Sequence, residues 1–485
     1  MSGRKKWDIV RRHLISKVEN NYMKSVTMYT TPTCVYCKMT KEFFAKNNVS
    51  YEEKNVAVDE KAREEMLSKS GQFGVIGFFV LAFAVVSGIY IFFPSIFGLS
   101  IKPAWEPAPK DITKYLPDDS VPADAVNETN LPLKLPSGFR ISIFEKKLPD
   151  ARVLARDSSG NIWVSRTARG SVAKLTLENG NVSATEDIFV GLRKPHGLAF
   201  DPNDPDTLYI GEEHRVSKFD VRERRFIEKI ADLPSGGGHF TRTIGFGPDG
   251  MLYISVGSSC NVCVELDDRR ATILVYDQSL KKASVFAKGL RNAVFFNWNT
   301  AWASMDKFKN INFTPELWAT EMGRDWLGDN TPPDEIDIIR KGGNYGWPNC
   351  YGKNIHDTNF DKKTYIRNPC MEPFETPSFV DFPAHSAPLG ITFIPKGQWP
   401  EDYWYDALVS LHGSWNRSEP TGYKVVRLKF DSEGNYQGTE DFITGWLTPE
   451  GSLGRPVDIM FDPQGAMYLS DDKAGIIYKI TPLQK

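Results

Sequence analysis

Residues 139–485 carry one short unit written six times, and that recurrence limits the fold more than any other feature of the 485-residue chain. DSSGNIWVS from Asp157, DPNDPDTLYIGE from Asp201, GPDGMLYISVG from Gly247, PELWATEMG from Pro315, YDALVSLHG from Tyr405 and DPQGAMYLSDD from Asp462 share a pattern: a polar Asp or Gly turn, a large apolar residue, then a short strand. Tight turns followed by β-branched and aromatic residues are strand chemistry. The first three copies start roughly 45 residues apart, the period of a four-stranded propeller blade. Six units, the later ones stretched by insertions, predict an all-β six-bladed propeller. The strand FRISIFE at 139–145 completes the last blade. Two stacked sheets are the competing reading of the irregular later spacing. The 38 Gly and 31 Pro suit many short turns. A formal charge of -2 removes any bulk electrostatic reason to hold nucleic acid.

Upstream, residues 73–97 (FGVIGFFVLAFAVVSGIYIFFPSIF) hold no formal charge and exceed the roughly 20 residues needed to cross a hydrocarbon layer. They predict one transmembrane helix over 75–97, with a buried core helix as the alternative. Arg4, Lys5, Lys6, Arg11, Arg12, Lys61, Arg63 and Lys69 precede the run, and Lys102, Lys110 and Lys114 follow it. This asymmetry predicts a cytoplasmic N-terminus and a membrane-anchored propeller on the extracytoplasmic side, periplasmic or extracellular. Residues 1–22 form a basic N-terminal segment. Residues 98–138, rich in Pro, Asp and Ala, read as an extended linker.

Residues 26–29 form a short apolar strand pattern, and Cys34 and Cys37 follow at the start of a predicted helix. A helix N-terminus lowers the pKa of the first thiol and so favours disulfide exchange. Strand, Cys-X-X-Cys, amphipathic helix and the second strand YEEKNVAV resemble the N-terminal half of a glutaredoxin-like α/β domain over 23–74. The Pro-containing turn, two further strands and closing helix of that family have no counterpart before the apolar run. An active redox domain and a truncated remnant are both compatible with this pattern.

Polar motifs recur in the propeller loops where packing does not require them. His239 follows three glycines, which lets backbone approach a ligand, and Arg242 lies three residues on. Arg291 and Asn292 pair a cation with an amide, a combination suited to a carboxylate or a developing oxyanion and equally to a structural salt bridge. Glu321, Asp325, Asp329, Asp334, Glu335 and Asp337 crowd a Gly- and Pro-interrupted stretch that suits a hard cation such as calcium, or serves as solvated turn acids. Cys260 and Cys263 share one loop, while Cys350 and Cys370 bracket an insertion. Two disulfides fit an oxidising compartment, with a metal or redox pair as the alternative for Cys260 and Cys263.

Taken together, GGGHFTRT, SVGSSCNVC, GLRNA, LWATEMGRDWLGDNTPPDEID, GGNYGWP, SLHGSWNRSEPTGYKVVR and GRPVDIMFDPQG resemble, in order, the soluble PQQ-dependent glucose dehydrogenase and L-sorbosone dehydrogenase-like quinoproteins. The resemblance implies PQQ and Ca2+ as cofactors and hydride transfer from an aldose, a sorbosone-like aldehyde or a polyol. It implies His239 as general base and Arg291 as stabiliser of the charge that develops on the quinone oxygen. Arg242, Asn292, His412, Arg417 and Arg455 would bind cofactor, the backbone carbonyls of Gly323 and Arg324 would hold calcium, and His196 would face substrate. Gly238 stands where the glucose enzymes carry an aspartate, and Val457 where they carry a second cofactor-binding arginine. No Cys-X-X-Cys-His follows the propeller, so an external electron acceptor is expected. A non-catalytic propeller that binds a carbohydrate or protein partner is the competing function.

Overall fold

A computed structural model describes residues 26–30, 40–41, 44–45, 49–59, 61–62, 65, 125–308 and 313–483, in two compact units that divide after Ser100. In the N-terminal unit Val26–Thr30 pairs in parallel with Tyr51–Asn55, and Met28 packs with Phe44. Two parallel strands need an intervening crossover, and most of 31–48 between them lies outside the described residues. Cys34, Cys37 and the apolar run 73–97 lie outside the described residues. Among the described residues no helix is long and apolar enough to cross a membrane.

The second unit is a six-bladed propeller. The blades occupy 151–189, 198–232, 244–288, 293–382, 388–443 and 456–482, each built of antiparallel strands in chain order. Each of the six sequence units falls on the first turn and second strand of its blade. The turn works locally: Asp157, Asp249 and Asp462 accept the amide protons of Asn161, Met251 and Ala466. The same carboxylates accept from the strand aromatics Trp163, Tyr253 and Tyr468. Blade closure uses the small residue near the end of the second strand. Ser255, Thr320, Ser410 and Ser470 donate to the carbonyls of Ala293, Leu389, Val457 and Arg152 on the first strand of the next blade. Each such bond contributes about 1 kcal/mol and sets the angle between sheets. Blade 2 has Gly211 at this place, because a Cβ there would sit 2.5 Å from the carbonyl oxygen of Arg242.

The ring closes as the repeat predicts. Phe139–Lys146 pairs antiparallel with Ile476–Pro482 and completes the last blade. One expectation changes: the linker does not run to 138. Val126–Asn127 adds a parallel fifth strand to that blade, and Leu131, Leu133 and Leu135 are buried with Trp446 and Phe442. Their apolar alternation is a strand-like face that the Pro-rich flank disguises. Cys260–Cys263 and Cys350–Cys370 are disulfides, which leaves no thiolate of these four to hold a metal.

Candidate functional site

In an antiparallel blade the connection entering the first strand and the loop from the second to the third strand share one edge of the sheet. His196, His239, Arg242, Arg291, Asn292, Gly323, Arg324, His412, Arg417 and Arg455 all lie in such connections. The topology therefore gathers every predicted propeller site residue onto one face of the ring. They form two groups there.

The first group surrounds a cavity of about 290 Å3 lined by Gly238, His239, Arg291, Asn292, Met322, Gly323, Asp325, Asp334, His385, Ala387, Trp415 and Asn416. His239 is half-buried in its wall. Its Nδ1 lies 3.0 Å from the Ser258 carbonyl oxygen and 2.8 Å from Ser258 Oγ. A carbonyl can only accept, and Ser258 Oγ spends its own proton on the Cys260 carbonyl at 2.7 Å. Nδ1 therefore carries the ring proton and Nε2 presents a lone pair. Burial, with the nearby Arg291 charge, pushes the imidazole pKa down to about 3, so the ring is neutral at pH 7. Gly257 makes the arrangement feasible, since a Cβ there would lie 2.6 Å from His239 Cβ and 2.7 Å from Asn292 Oδ1.

Arg291 is buried across the cavity and its donors are engaged. Nε donates to the Asn261 carbonyl at 2.8 Å, Nη1 to the carbonyls of Met322 at 3.2 Å and Gly323 at 2.9 Å. Nη2 reaches Asn261 Oδ1 at 2.9 Å and Asp325 Oδ2 at 3.0 Å. The Gly323 carbonyl, expected to hold calcium, thus accepts from a guanidinium here. Asn292 lines the cavity and donates its amide proton to the Glu321 carboxylate at 3.1 Å.

Several expected ligand contacts are instead structural in this arrangement. Arg242 is fully buried and clasps the His239 loop, donating to the carbonyls of His239 (3.0 Å), Thr241 (2.6 Å) and Pro234 (2.7 Å). It positions the imidazole and does not line the cavity. Arg242→Ala is expected to cost about 2–4 kcal/mol of stability and to lower turnover through His239. Thermal melts and kcat measured together check this, and an unchanged melt sinks it. Arg324 turns its side chain to Asp357 at 2.7 Å. Arg417 ties the blade 4 loop at Asp329, Asn330 and Ala384 to blade 5, and it too lies outside the cavity lining.

His412 and Arg455 belong to the second group, nearer blades 5, 6 and 1. His412 Nε2 meets Asp472 Oδ1 at 2.9 Å, and Asp472 also holds Arg152 at 2.5 Å. Burial pushes His412 down to about 4, and the charges of His412, Arg152 and Arg455 hold the buried Asp472 well below the usual carboxylate range. Arg455 donates to the carbonyls of His412 and Gly413, and its Nη1 has no hydrogen bond among the described residues. His196 is fully buried, its Nδ1 3.3 Å from Thr243 Oγ1 and its Nε2 without a partner among the described residues. Burial holds its pKa well below the ordinary imidazole value.

The acid-rich stretch does not form a cage of loop oxygens. Glu321, Asp334, Glu335 and Asp337 are buried on strands of blade 4. Cross-strand register puts Glu321 opposite Glu335, Glu335 opposite Asp381 and Ala319 opposite Asp337, so the four acids share one sheet face. Asp334 instead faces the cavity, accepting amide protons from Gly323 (2.9 Å) and Ala387 (2.7 Å), and burial pushes it up to about 7. Asp329 accepts from Ser418 on the neighbouring blade. Sequence reading did not select His385, Trp415, Asn416 or Ser258. Each lies in a loop where periodicity is silent, although the SSCNVC and GSWNRS runs marked two of those loops.

Residues 133–483 match the TrAA12-like family model. The chain belongs to the TrAA12-like family. Within the shared region this TrAA12-like chain is 30% identical over 373 residues to an uncharacterized protein of Borreliella burgdorferi, covering 73% of this chain and 92% of that one. It is 23% identical over 407 residues to the pyrroloquinoline quinone-dependent pyranose dehydrogenase of Coprinopsis cinerea, covering 72% of this chain and 54% of the fungal protein. The calcium structure of the Trichoderma reesei family AA12 enzyme superposes with a TM-score of 0.61 at 21% identity, over 74% of this chain and 100% of that one. Residues 26–75 match the Glutaredoxin family model, as the strand and Cys-X-X-Cys pattern predicts.

Proposed function

We propose that this TrAA12-like propeller is a PQQ- and calcium-dependent dehydrogenase that oxidises an aldose, a sorbosone-like aldehyde or a polyol. The observation that carries the reading is one cavity that holds an unprotonated imidazole nitrogen of His239 together with the Arg291 guanidinium and an oxygen-lined wall. The similarity to a pyranose dehydrogenase supports the same chemistry. The residues fit such a group in kind. Gly257 leaves room for two side chains to converge, and Arg455 keeps a donor unused on the same face. Arg291, through its charge because its donors are already engaged, and Asn292 would face the polyanionic cofactor in the cavity, Arg455 would reach it only from outside that lining, and the carbonyls of Gly323 and Arg324 would hold calcium. Bound there, PQQ supplies a two-electron hydride acceptor and calcium a Lewis acid.

His239 Nε2 takes the proton of the substrate hydroxyl, and Ser258 keeps the ring in the required tautomer. Two cations at one carbonyl oxygen repel, and Arg291 already donates to the Gly323 carbonyl, so calcium would bind this wall only with an anionic partner. Calorimetric titration of apoprotein tests this: PQQ binds tightly when calcium is present, and calcium alone gives no heat. No PQQ binding in either case, with no rise in melting temperature, returns the chain to a non-catalytic propeller that binds a carbohydrate or protein partner.

An external acceptor must then collect the electrons. The same reading sets the propeller on the extracytoplasmic side of a membrane, tethered through 73–97, a segment outside the described residues. Two disulfides and the basic residues before that segment support this placement.

A further inference from the structure

His239 and Arg291 reach the cavity from the connections entering blades 3 and 4, yet both are tied to one ring of four residues, 260–263, closed by the Cys260–Cys263 disulfide. The Cys260 carbonyl accepts the Ser258 Oγ proton at 2.7 Å, which leaves Ser258 Oγ to accept from His239 Nδ1 at 2.8 Å. Asn261 carries more. Its carbonyl accepts from Arg291 Nε at 2.8 Å and from Trp347 Nε1 at 3.3 Å. Its Oδ1 accepts from Arg291 Nη2 at 2.9 Å and from the Asp325 amide at 2.8 Å, and its Nδ2 donates to the Asp325 carbonyl at 3.0 Å. One residue inside the ring thus clamps the guanidinium and the segment that follows Arg324.

As a staple of the fold this disulfide counts for little. A cross-link constrains the unfolded chain less the shorter the loop it closes, and its cysteines are three positions apart, against twenty for Cys350–Cys370. Access differs as well. Cys350 and Cys370 are buried, whereas Cys260 and Cys263 are part-exposed and Val264 and Leu266 beside them stand in solvent. An attacking thiolate can reach the short pair, whose Cys-X-X-Cys spacing is that of disulfide-exchange sites. The surroundings also give exchange a direction. Glu265 Oε1 lies 3.9 Å from Cys263 Sγ, and a carboxylate there disfavours negative charge on that sulfur. Cys260 is therefore the better leaving group and Cys263 Sγ the point of attack.

We infer that Cys260–Cys263 is a redox-active disulfide, and that exchange with an external dithiol opens the ring and releases the Asn261 clamp on Arg291. One thiolate of the dithiol bonds to Cys263 Sγ, the Cys260–Cys263 bond breaks, and Cys260 leaves as a thiolate that takes a proton from water. The second thiol of the reagent then displaces Cys263. The dithiol ends as a disulfide and the propeller holds two thiols, so two electrons and two protons have passed. The effect on cofactor binding rests on the dehydrogenase reading above; the exchange itself does not.

The test uses the full chain carrying C34S and C37S, so that only propeller cysteines are counted, with dithiothreitol as the probe. Alkylation and mass spectrometry of apoprotein are expected to find Cys260 and Cys263 open at a dithiothreitol concentration at least about tenfold below that needed for Cys350 and Cys370. Opening shifts the tryptophan fluorescence, and W347F removes the shift. After the reagent is removed, calorimetry with calcium shows PQQ bound at least about tenfold more weakly by the reduced chain, by C260S/C263S and by N261A, because the wall is no longer preorganised. Reoxidation restores the parent's affinity, and a melting temperature of C260S/C263S close to the parent's separates a lost clamp from unfolding. Opening of both disulfides together overturns the inference. So does selective opening that moves neither the Trp347 signal nor PQQ affinity, or that tightens PQQ. Selective opening with the Trp347 shift, but no PQQ binding in either form, leaves the redox clamp standing and removes the dehydrogenase reading.

Discussion

His239→Ala lowers kcat by about 10²–10⁴-fold, the contribution of a positioned general base, and leaves thermal stability near that of the parent. The side chain is half-buried, and among the described residues its ring bonds only to Ser258, so its loss opens little core. Steady-state turnover at saturating PQQ and calcium, set beside a thermal melt, gives the result. Turnover unchanged within twofold removes the imidazole from the chemistry. The pH dependence carries a second reading. Burial and Arg291 push the free-protein pKa down to about 3, so the ring stays neutral as pH falls through the ordinary imidazole value. The unfolded chain takes up a proton near pH 6.5 that the native chain refuses, so this group withdraws stability as pH drops from about 6.5 toward 3. An NMR titration of apoprotein that shows ring protonation near pH 6.5 contradicts that burial effect.

Asp337→Asn raises stability, and the gain grows with pH. Asp337 is fully buried on the acidic face of blade 4, and neither carboxylate oxygen has a partner among the described residues. Burial, then the neighbouring Glu321 and Asp381, raises its pKa well above the usual carboxylate range, against a smaller opposing effect of Lys353. Glu321 and Glu335 on the same face are raised for the same reason. The native chain therefore keeps a proton that the unfolded chain releases above roughly pH 4. Each pH unit between the two values costs the parent about 1.4 kcal/mol, a cost the uncharged amide does not carry. Melts at pH 5 and pH 8 decide: the variant exceeds the parent more at pH 8. An equal difference at both values means that Asp337 is ionised in the fold.

Both predictions begin from residues visible in the sequence. His239 was legible because three glycines before an imidazole are a local signal, and the loop does present that ring to a cavity. By sequence alone the acids from Glu321 to Asp337 suit either cation-binding loops or solvated turns. Strand pairing turns four of them onto one buried face or into the cavity wall, and register is a property of two chain segments rather than one. Arg242 and Arg417 show the same divide. A guanidinium in a polar loop looks like a ligand contact, yet Arg242 clasps three carbonyls of its own loop, and Arg417 bonds to the carbonyls of Asp329 and Ala384, which come within reach only when loops distant in the chain meet.

The repeats determined the blade count, because each unit depends on contacts within a few residues: an Asp accepting from its own turn amides and from the aromatic on the next strand. The same local chemistry placed every predicted propeller site residue in a loop. Ring closure decided the rest. It set which loops share the cavity, joined Trp326 to Trp415 across two blades, and left Asn416 Oδ1 without a partner among the described residues. Those outcomes rest on distances between residues about ninety positions apart, which no local pattern encodes and which packing of the six sheets sets.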